Sequence, residues 1–296
     1  MPRLYDFVGL AGLEVVRDGS FVITGKISTP LDSLCVPLGV KDYAGQVNAQ
    51  PRITAVITRR EIVDMLDDRL AVAIAPDPDA AHSEIHAVLA EQHARALRAV
   101  PNVIDPSARI DGSARIADHA VTIGADAVIG PNVYIAPGVI IGNGSAFYAG
   151  VALGIPGFNV GSIGGRQRIV PQIGGVRIGA HVEMLANCTV ARAIYGGDTI
   201  IGDETLTDSL VYIAHDVQIG RQVRICALSN ILGRTIIGDG AYIGPSAVVK
   251  NGLIVGDRAR VSIGAVVTRD VASGETVSGN FAVSHERFLE HIRSIR

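Results

Sequence analysis

From Ile201 onward an aliphatic residue returns at every sixth position. The run is Ile201, Ile213, Ile219, Ile225, Ile231, Ile237, Ile243, Val249, Val255 and Val261, with Thr207 the one exception in eleven hexads. An earlier run occupies Ile104, Ile110 and Ile116, slips by one residue, and resumes at Ile123, Ile129, Ile135 and Ile141. Ile178, Met184 and Val190 join the two runs. A period of six is neither that of a helix nor that of a simple alternating strand. It fits a short strand and a turn, with one aliphatic per side pointing inward. Three such sides close a coil of about 18 residues, and coils stack at roughly 4.8 Å through parallel ladders. Coils bury their faces only against other coils, so the array needs caps. A parallel α/β domain would instead need long helical crossovers between strands, and none fits the hexads.

Composition agrees with a repetitive β core. Hydrophobic residues make up 48% of the 296, yet only 13 are aromatic (7 Tyr, 6 Phe, no Trp) and 34 are Gly. Such a core is filled by Ile, Val, Leu and Ala. The balance of 26 basic against 29 acidic residues, net −3, argues against a nucleic-acid groove, which needs concentrated positive charge. Cys35, Cys188 and Cys226 are odd in number and far apart. They read as neither a disulfide framework nor a zinc site, and suggest a reducing compartment. The opening MPRLYDFVGLAGLEVV is too polar for a signal peptide, and no apolar run of about 18 residues exists. The expectation is a soluble, cytoplasmic protein with no integral membrane segment.

Three regions follow. Residues 1–100 lack the hexad period and read as a small α/β capping domain. There VVRDGSFVITGKIS suggests a hairpin with a DG turn, RITAVIT and LAVAIA suggest strands, and DAAHSEIHAVLAEQHARALRAV suggests a helix starting near Asp79 or Ser83. His82, His86 and His93 on that helix read as solvated. Residues 101–280 form the β-helix. Residues 281–296 carry Phe288, Leu289, Ile292 and Ile295 on one stripe, with Arg287, Arg293 and Arg296 elsewhere, which predicts a short amphipathic helix. Two segments break the hexads, 147–177 and 193–198. Insertions in a solenoid are loops on one face, often the binding face. Arg166 and Arg168 in the first suit an anionic group.

GFNV at 157–160, VPQIG at 170–174, IGAHVE at 178–183, DTIIGD at 198–203 and IAHDVQIG at 213–220 resemble the N-acyltransferases of lipid A biosynthesis. Those enzymes acylate the amine of UDP-3-O-(3-hydroxyacyl)-glucosamine. ITGKIS, AVITRREI and NVIDPSARI resemble the uridine-binding domain of the same family. The hexads alone resemble only the wider left-handed β-helix acyltransferase superfamily. The resemblance implies a mainly β fold, a left-handed parallel β-helix with a small N-terminal α/β domain and a short C-terminal helix. It also implies a homotrimer with sites between neighbouring prisms and a nucleotide-linked amino sugar as acceptor. The donor would be a phosphopantetheine thioester on acyl carrier protein or CoA, with no permanently bound cofactor and no metal.

Residue by residue, His215 in the IAHD hexad matches the family's catalytic histidine. Amide formation from a thioester and an amine needs a base, and imidazole changes charge near neutral pH. The tetrahedral intermediate needs a donor for its oxyanion. Gly233 lies one 18-residue coil beyond His215 and matches the residue that carries the family's oxyanion contact. Asp208, in the preceding hexad, is the expected carboxylate partner of the imidazole. Asp216 ranks below it, because adjacent strand side chains face opposite ways. Tyr43, Phe158, Asn159, Gln172 and Tyr212 are the substrate-binding candidates. The chain departs from the family in three places. Gly252 stands where a second histidine is usual, Ala191-Arg192 replaces an Asp-Arg pair, and in LCVPLGVKDY only Tyr43 matches the uridine pocket. The rival readings are an acetyl-CoA-dependent nucleotide-sugar N-acetyltransferase, a β-helix scaffold with a decayed site, and a trimeric zinc carbonic anhydrase. His119, His181 and His215 lack the spacing of the last.

Overall fold

Most hexads fold as two residues of strand followed by a turn, and the strand aliphatic points inward. In the computed structural model, which describes residues 1–279 and 283–295, Ile213 pairs with Ile231 and Ile231 with Val249 in parallel register. One coil therefore takes 18 residues. The described prism strands form three parallel sheets of nine, eight and eight strands, the sides of a left-handed β-helix. Ile213, Ile231, Ile243, Val249, Val255 and Val261 are fully buried. The exception Thr207 is also buried, with its hydroxyl 3.4 Å from Cys188 Sγ. A second inward position two residues before each aliphatic takes small residues such as Val217, Ala241 and Ala259. Where that position is Thr205, Ser229 or Thr235, the hydroxyl donates to a backbone carbonyl, which offsets the cost of burying it. Most corners turn on one residue with left-handed φ, among them Asp126, Leu210, Asp216 and Leu228.

The N-terminal domain is a five-stranded sheet in the order β1-β5-β4-β3-β2, with β1 Glu14–Arg17, β2 Ile23–Thr24, β3 Leu34–Leu38, β4 Ile53–Thr58 and β5 Ala71–Ile74. Strand alternation sends Ala71 and Ala73 to one face with Ile85 and Leu89 of helix α2 (Pro78–Leu97), and Leu70 and Val72 to the other with Val47 of helix α1 (Ala44–Ala49). Three local expectations are corrected here. The DG segment is no hairpin: β1 pairs antiparallel with β5, whereas β2 pairs parallel with β3. Helix α2 spans Pro78–Leu97 and is capped earlier, by the Asp77 carboxylate accepting from the Ala80 N–H, with Pro78 at the first helical position. Finally, His82 and His86 are not solvated; they are 1% and 0% exposed, because this face of α2 packs on the prism insertions. His93 does face solvent.

The insertion at 147–177 contains an antiparallel hairpin, Val160–Ile163 with Arg166–Ile169, which leans on α2. Its tip is fixed by the Gly164 N–H donating to Glu84 Oε1 at 2.8 Å. At the far end α3 spans His285–Ser294, capped by the Ser284 hydroxyl. The Phe288 side chain and Arg296 of the expected amphipathic stripe lie outside the described residues.

Candidate functional site

His215 sits at the prism corner that follows the strand Tyr212–Ile213, its side chain 11% exposed. Its Nδ1 lies 2.8 Å from Asp216 Oδ2, while Asp216 Oδ1 accepts the Ile194 N–H at 3.2 Å. A carboxylate only accepts, so Nδ1 carries the proton and Nε2 keeps a free lone pair. The expectation that Asp208 orients the imidazole is therefore corrected. The Asp208 side chain is exposed and accepts the Ser209 N–H at 2.7 Å. Asp216 serves instead because it occupies a turn, with φ 59°, where strand alternation no longer applies. The alternation argument fails one residue past the strand end.

Two glycines close on the imidazole. A Cβ on Gly233 would fall 2.4 Å from His215 Cε1 and 2.6 Å from Nε2, so the ring lies directly over the bare Cα one coil on. A Cβ on Gly157 would fall 3.3 Å from His215 Cδ2 on another side. The Gly233 carbonyl accepts the Gly252 N–H, while the Gly233 N–H has no acceptor among the described residues. Gly252, the position of the missing second histidine, is thus a turn residue with φ 72°. Gly157 is held from behind by Gln172, which donates to the Gly157 carbonyl at 2.6 Å and accepts its N–H at 2.9 Å.

The other candidates divide. Asn159 hydrogen-bonds the hydroxyl of Tyr195, whose pKa is pushed up to about 12 by burial. Phe158 is 79% exposed beside the site, and Tyr212 lines the strand leading to it, half-buried. Tyr43 is exposed on a short helical turn, Lys41–Tyr43, and lines none of the cavities described. Arg166 and Arg168 are exposed on the hairpin. A cavity of about 510 Å³ lies between the N-terminal domain and the prism, walled by Leu31, Leu97, Ile173, Tyr195 and several glycines, and does not include His215. Among the described residues no group of three or more His, Cys, Asp or Glu side chains could hold a metal ion. None of the described helices is long and apolar enough to cross a membrane. Sequence reasoning missed Tyr195 and gave no site role to His86 or Arg192. The first two sit in or against the insertions, and the break in the hexads was the signal available. Burial lowers the pKa of Arg192, whose head group reaches the carbonyls of Pro137 and Gln172.

The repeats and the prism define the class, a hexapeptide-repeat β-helix. Residues 120–154 match the family described as bacterial transferase hexapeptide (six repeats), and residues 234–269 match the hexapeptide repeat of succinyl-transferase. Within that class the chain is similar to the UDP-3-O-acylglucosamine N-acyltransferase of Caulobacter sp. (strain K31), 37% identical over 150 residues, which is 50% of this chain and 43% of the relative. It is similar also to the enzyme of that name from Bordetella parapertussis, 36% identical over 44% of this chain and 37% of the relative. The matches span less than half the length of these relatives. The solved UDP-N-acetylglucosamine acyltransferase from Campylobacter jejuni superposes with a TM-score of 0.50 at 19% identity, over 66% of this chain and 81% of that one, and shares its fold.

Proposed function

We propose that this chain is an N-acyltransferase that moves an acyl group from a phosphopantetheine thioester to the amine of a nucleotide-linked amino sugar, of the lipid A type. One observation carries the reading: the His215 imidazole, oriented through Nδ1 by Asp216, presents Nε2 over Gly233, whose N–H is uncommitted. The names of the similar proteins support the substrate class.

In this reading the substrate amine attacks the thioester carbonyl as Nε2 takes its proton. The carbonyl oxygen becomes an oxyanion beside the Gly233 N–H. Collapse expels the thiolate, which receives the proton back from the imidazolium, and an amide remains. Asp216 stabilises the charged ring between the two transfers. Gln172 holds Gly157 against the imidazole. Phe158 and Tyr212 are surface candidates for substrate contact. The chain acts as a homotrimer, with Leu210 and Leu228, each more than half exposed at turns on neighbouring coils, meeting a second prism.

The test is incubation with acetyl-CoA and, separately, with long-chain acyl carrier protein, each with UDP-linked amino sugars. Amide formation that disappears in His215→Ala is expected. Transfer from acetyl-CoA alone would favour the acetyltransferase reading. No transfer from either donor, with UDP-sugars still raising the melting temperature, would leave a binding scaffold.

A further inference from the structure

One of the two insertions that break the hexads abuts the His215 imidazole, the other holds the carboxylate that orients it, and both are fastened to the same residue of the N-terminal domain. His86 of α2 is fully buried. Its Nε2 lies 2.7 Å from the Pro171 carbonyl, and its Nδ1 lies 2.6 Å from Thr24 Oγ1 on β2. A carbonyl only accepts, so Nε2 carries the proton and Nδ1 accepts from the threonine hydroxyl. From Pro171 the first route is short. Gln172 follows, grips Gly157 at both backbone groups, and Gly157 abuts His215 Cδ2. The second route starts on the His86 ring, which meets Tyr195 edge-on with centroids 4.9 Å apart at 73°. Tyr195 follows Ile194, whose N–H holds Asp216, and Asp216 holds His215 Nδ1.

We infer that His86 is a positioning residue for the His215 centre, a latch through which the docked N-terminal domain sets both the loop covering the imidazole and the carboxylate that orients it. The inference rests on the acyl-transfer reading for its effect on turnover, and on geometry alone for its effect on the two loops. The latch is directional. Its donor to Pro171 matters to the site, whereas its acceptor toward Thr24 only ties α2 to β2 within the N-terminal domain. Small displacements at a reacting centre are costly, about a hundredfold for a shift near 1 Å.

His86→Gln places an amide N–H near the position of Nε2, and His86→Asn reaches only the position of Nδ1. The expected result is that His86→Gln keeps kcat within about threefold, while His86→Asn lowers it about tenfold to a hundredfold with the donor KM little changed. Hydrogen exchange at the Gly157 amide should quicken in His86→Asn and not in His86→Gln, whereas exchange at the Ile194 amide, reached through the ring that both variants lack, should quicken in both, with the Arg234 amide of the regular coil as control. Equal kcat in the two variants, or exchange at Gly157 and Ile194 that matches the unmodified protein in both, would overturn the latch. Should the unmodified protein transfer no acyl group, the acyl-transfer reading fails and the exchange asymmetry alone decides the latch. Should His86→Asn not fold, His86→Phe, which keeps a ring against Tyr195 without either hydrogen bond, takes its place: kcat should fall and Gly157 exchange should quicken as for His86→Asn, while Ile194 exchange stays near that of the unmodified protein.

Discussion

The coils from Ile201 to Val267 and the stretch from 147 to 198 belong to one prism but hold themselves together differently. In the first, each strand repeats its neighbour 18 residues on, and stability comes from stacked aliphatics such as Ile213, Ile231 and Val249. In the second, the chain leaves the prism twice, and the excursions are held by irregular contacts with no repeat: Gln172 on Gly157, Asp216 on Ile194, His86 on Pro171, and the Ile173 N–H on the Ile194 carbonyl. His215 lies at the seam. Its own coil is regular, and its surroundings come from both excursions and from Gly233 on the next coil. The regular coils act as a rail that fixes the imidazole's height, and the excursions set its orientation and cover. Substitutions in the two regions should therefore separate stability from turnover.

The largest separation is expected at His215. His215→Ala should lower kcat by about 10²–10⁴-fold, the usual worth of a positioned base, while the melting temperature stays near that of the unmodified protein. Next comes Gly233→Ala, which sits in the regular coils yet should behave as a site substitution. Its Cβ would collide with the ring at 2.4 Å and drive the imidazole off Asp216. A loss of about a hundredfold in kcat is expected. If Gly233→Ala alters stability but not turnover, the comparison breaks at its most informative point. The pair Asp216→Asn and Asp208→Asn then tests the seam. The former should cost on the order of tenfold to a hundredfold through loss of the preferred tautomer, and the latter should leave activity unchanged, since Asn still accepts from Ser209.

The rail was legible in the sequence and the orientation was not, for a physical reason. A six-residue period acts through burial, and burial patterns are written in residue type; Ile213 and Ile231 announce themselves. His215 and Gly233 could be linked by coil arithmetic because ladder pairing preserves residue number. Asp216 escapes strand-alternation reasoning because its backbone is left-handed, with φ 59°, and a turn changes which way a neighbouring side chain points. From sequence His86 and His82 read as exposed, because helix α2 reads as a free capping helix until the insertions fold back onto it. What covers a surface at long range leaves no local mark. The DG segment misled for a similar reason: β1 found β5, far along the chain, instead of its sequence neighbour.

On the rail itself, Ile231→Ala should cost about 2–5 kcal/mol, because the residue is fully buried and a stacked prism collapses poorly around a void. Urea midpoints give that figure. Turnover per folded molecule should remain near that of the unmodified protein. A loss of turnover larger than the unfolded fraction explains would mean that the rail transmits strain to His215 and that the two regions are not separable.

The smallest effect concerns the contact that joins the two regions to the N-terminal domain. Burial pushes the pKa of His86 from the usual 6.5 down to about 4. The folded protein therefore keeps this imidazole neutral where the unfolded chain would already bind a proton. The sign follows directly. The contribution is fully present above about pH 6.5 and is lost as pH falls toward 4, on the order of 2–3 kcal/mol by pH 4.5. Buried His82 shifts in the same direction for the same reason and adds to the slope. Comparing urea midpoints at pH 7 and pH 4.5 for the unmodified protein and His86→Gln isolates the share of His86. The variant should lose less stability on acidification, and the difference should vanish above pH 6.5. Parallel loss in both proteins would mean that His86 is already protonated in the fold. Nδ1 would then be a donor toward Thr24, and the bond to Pro171 would be charge-assisted and less readily replaced by an amide.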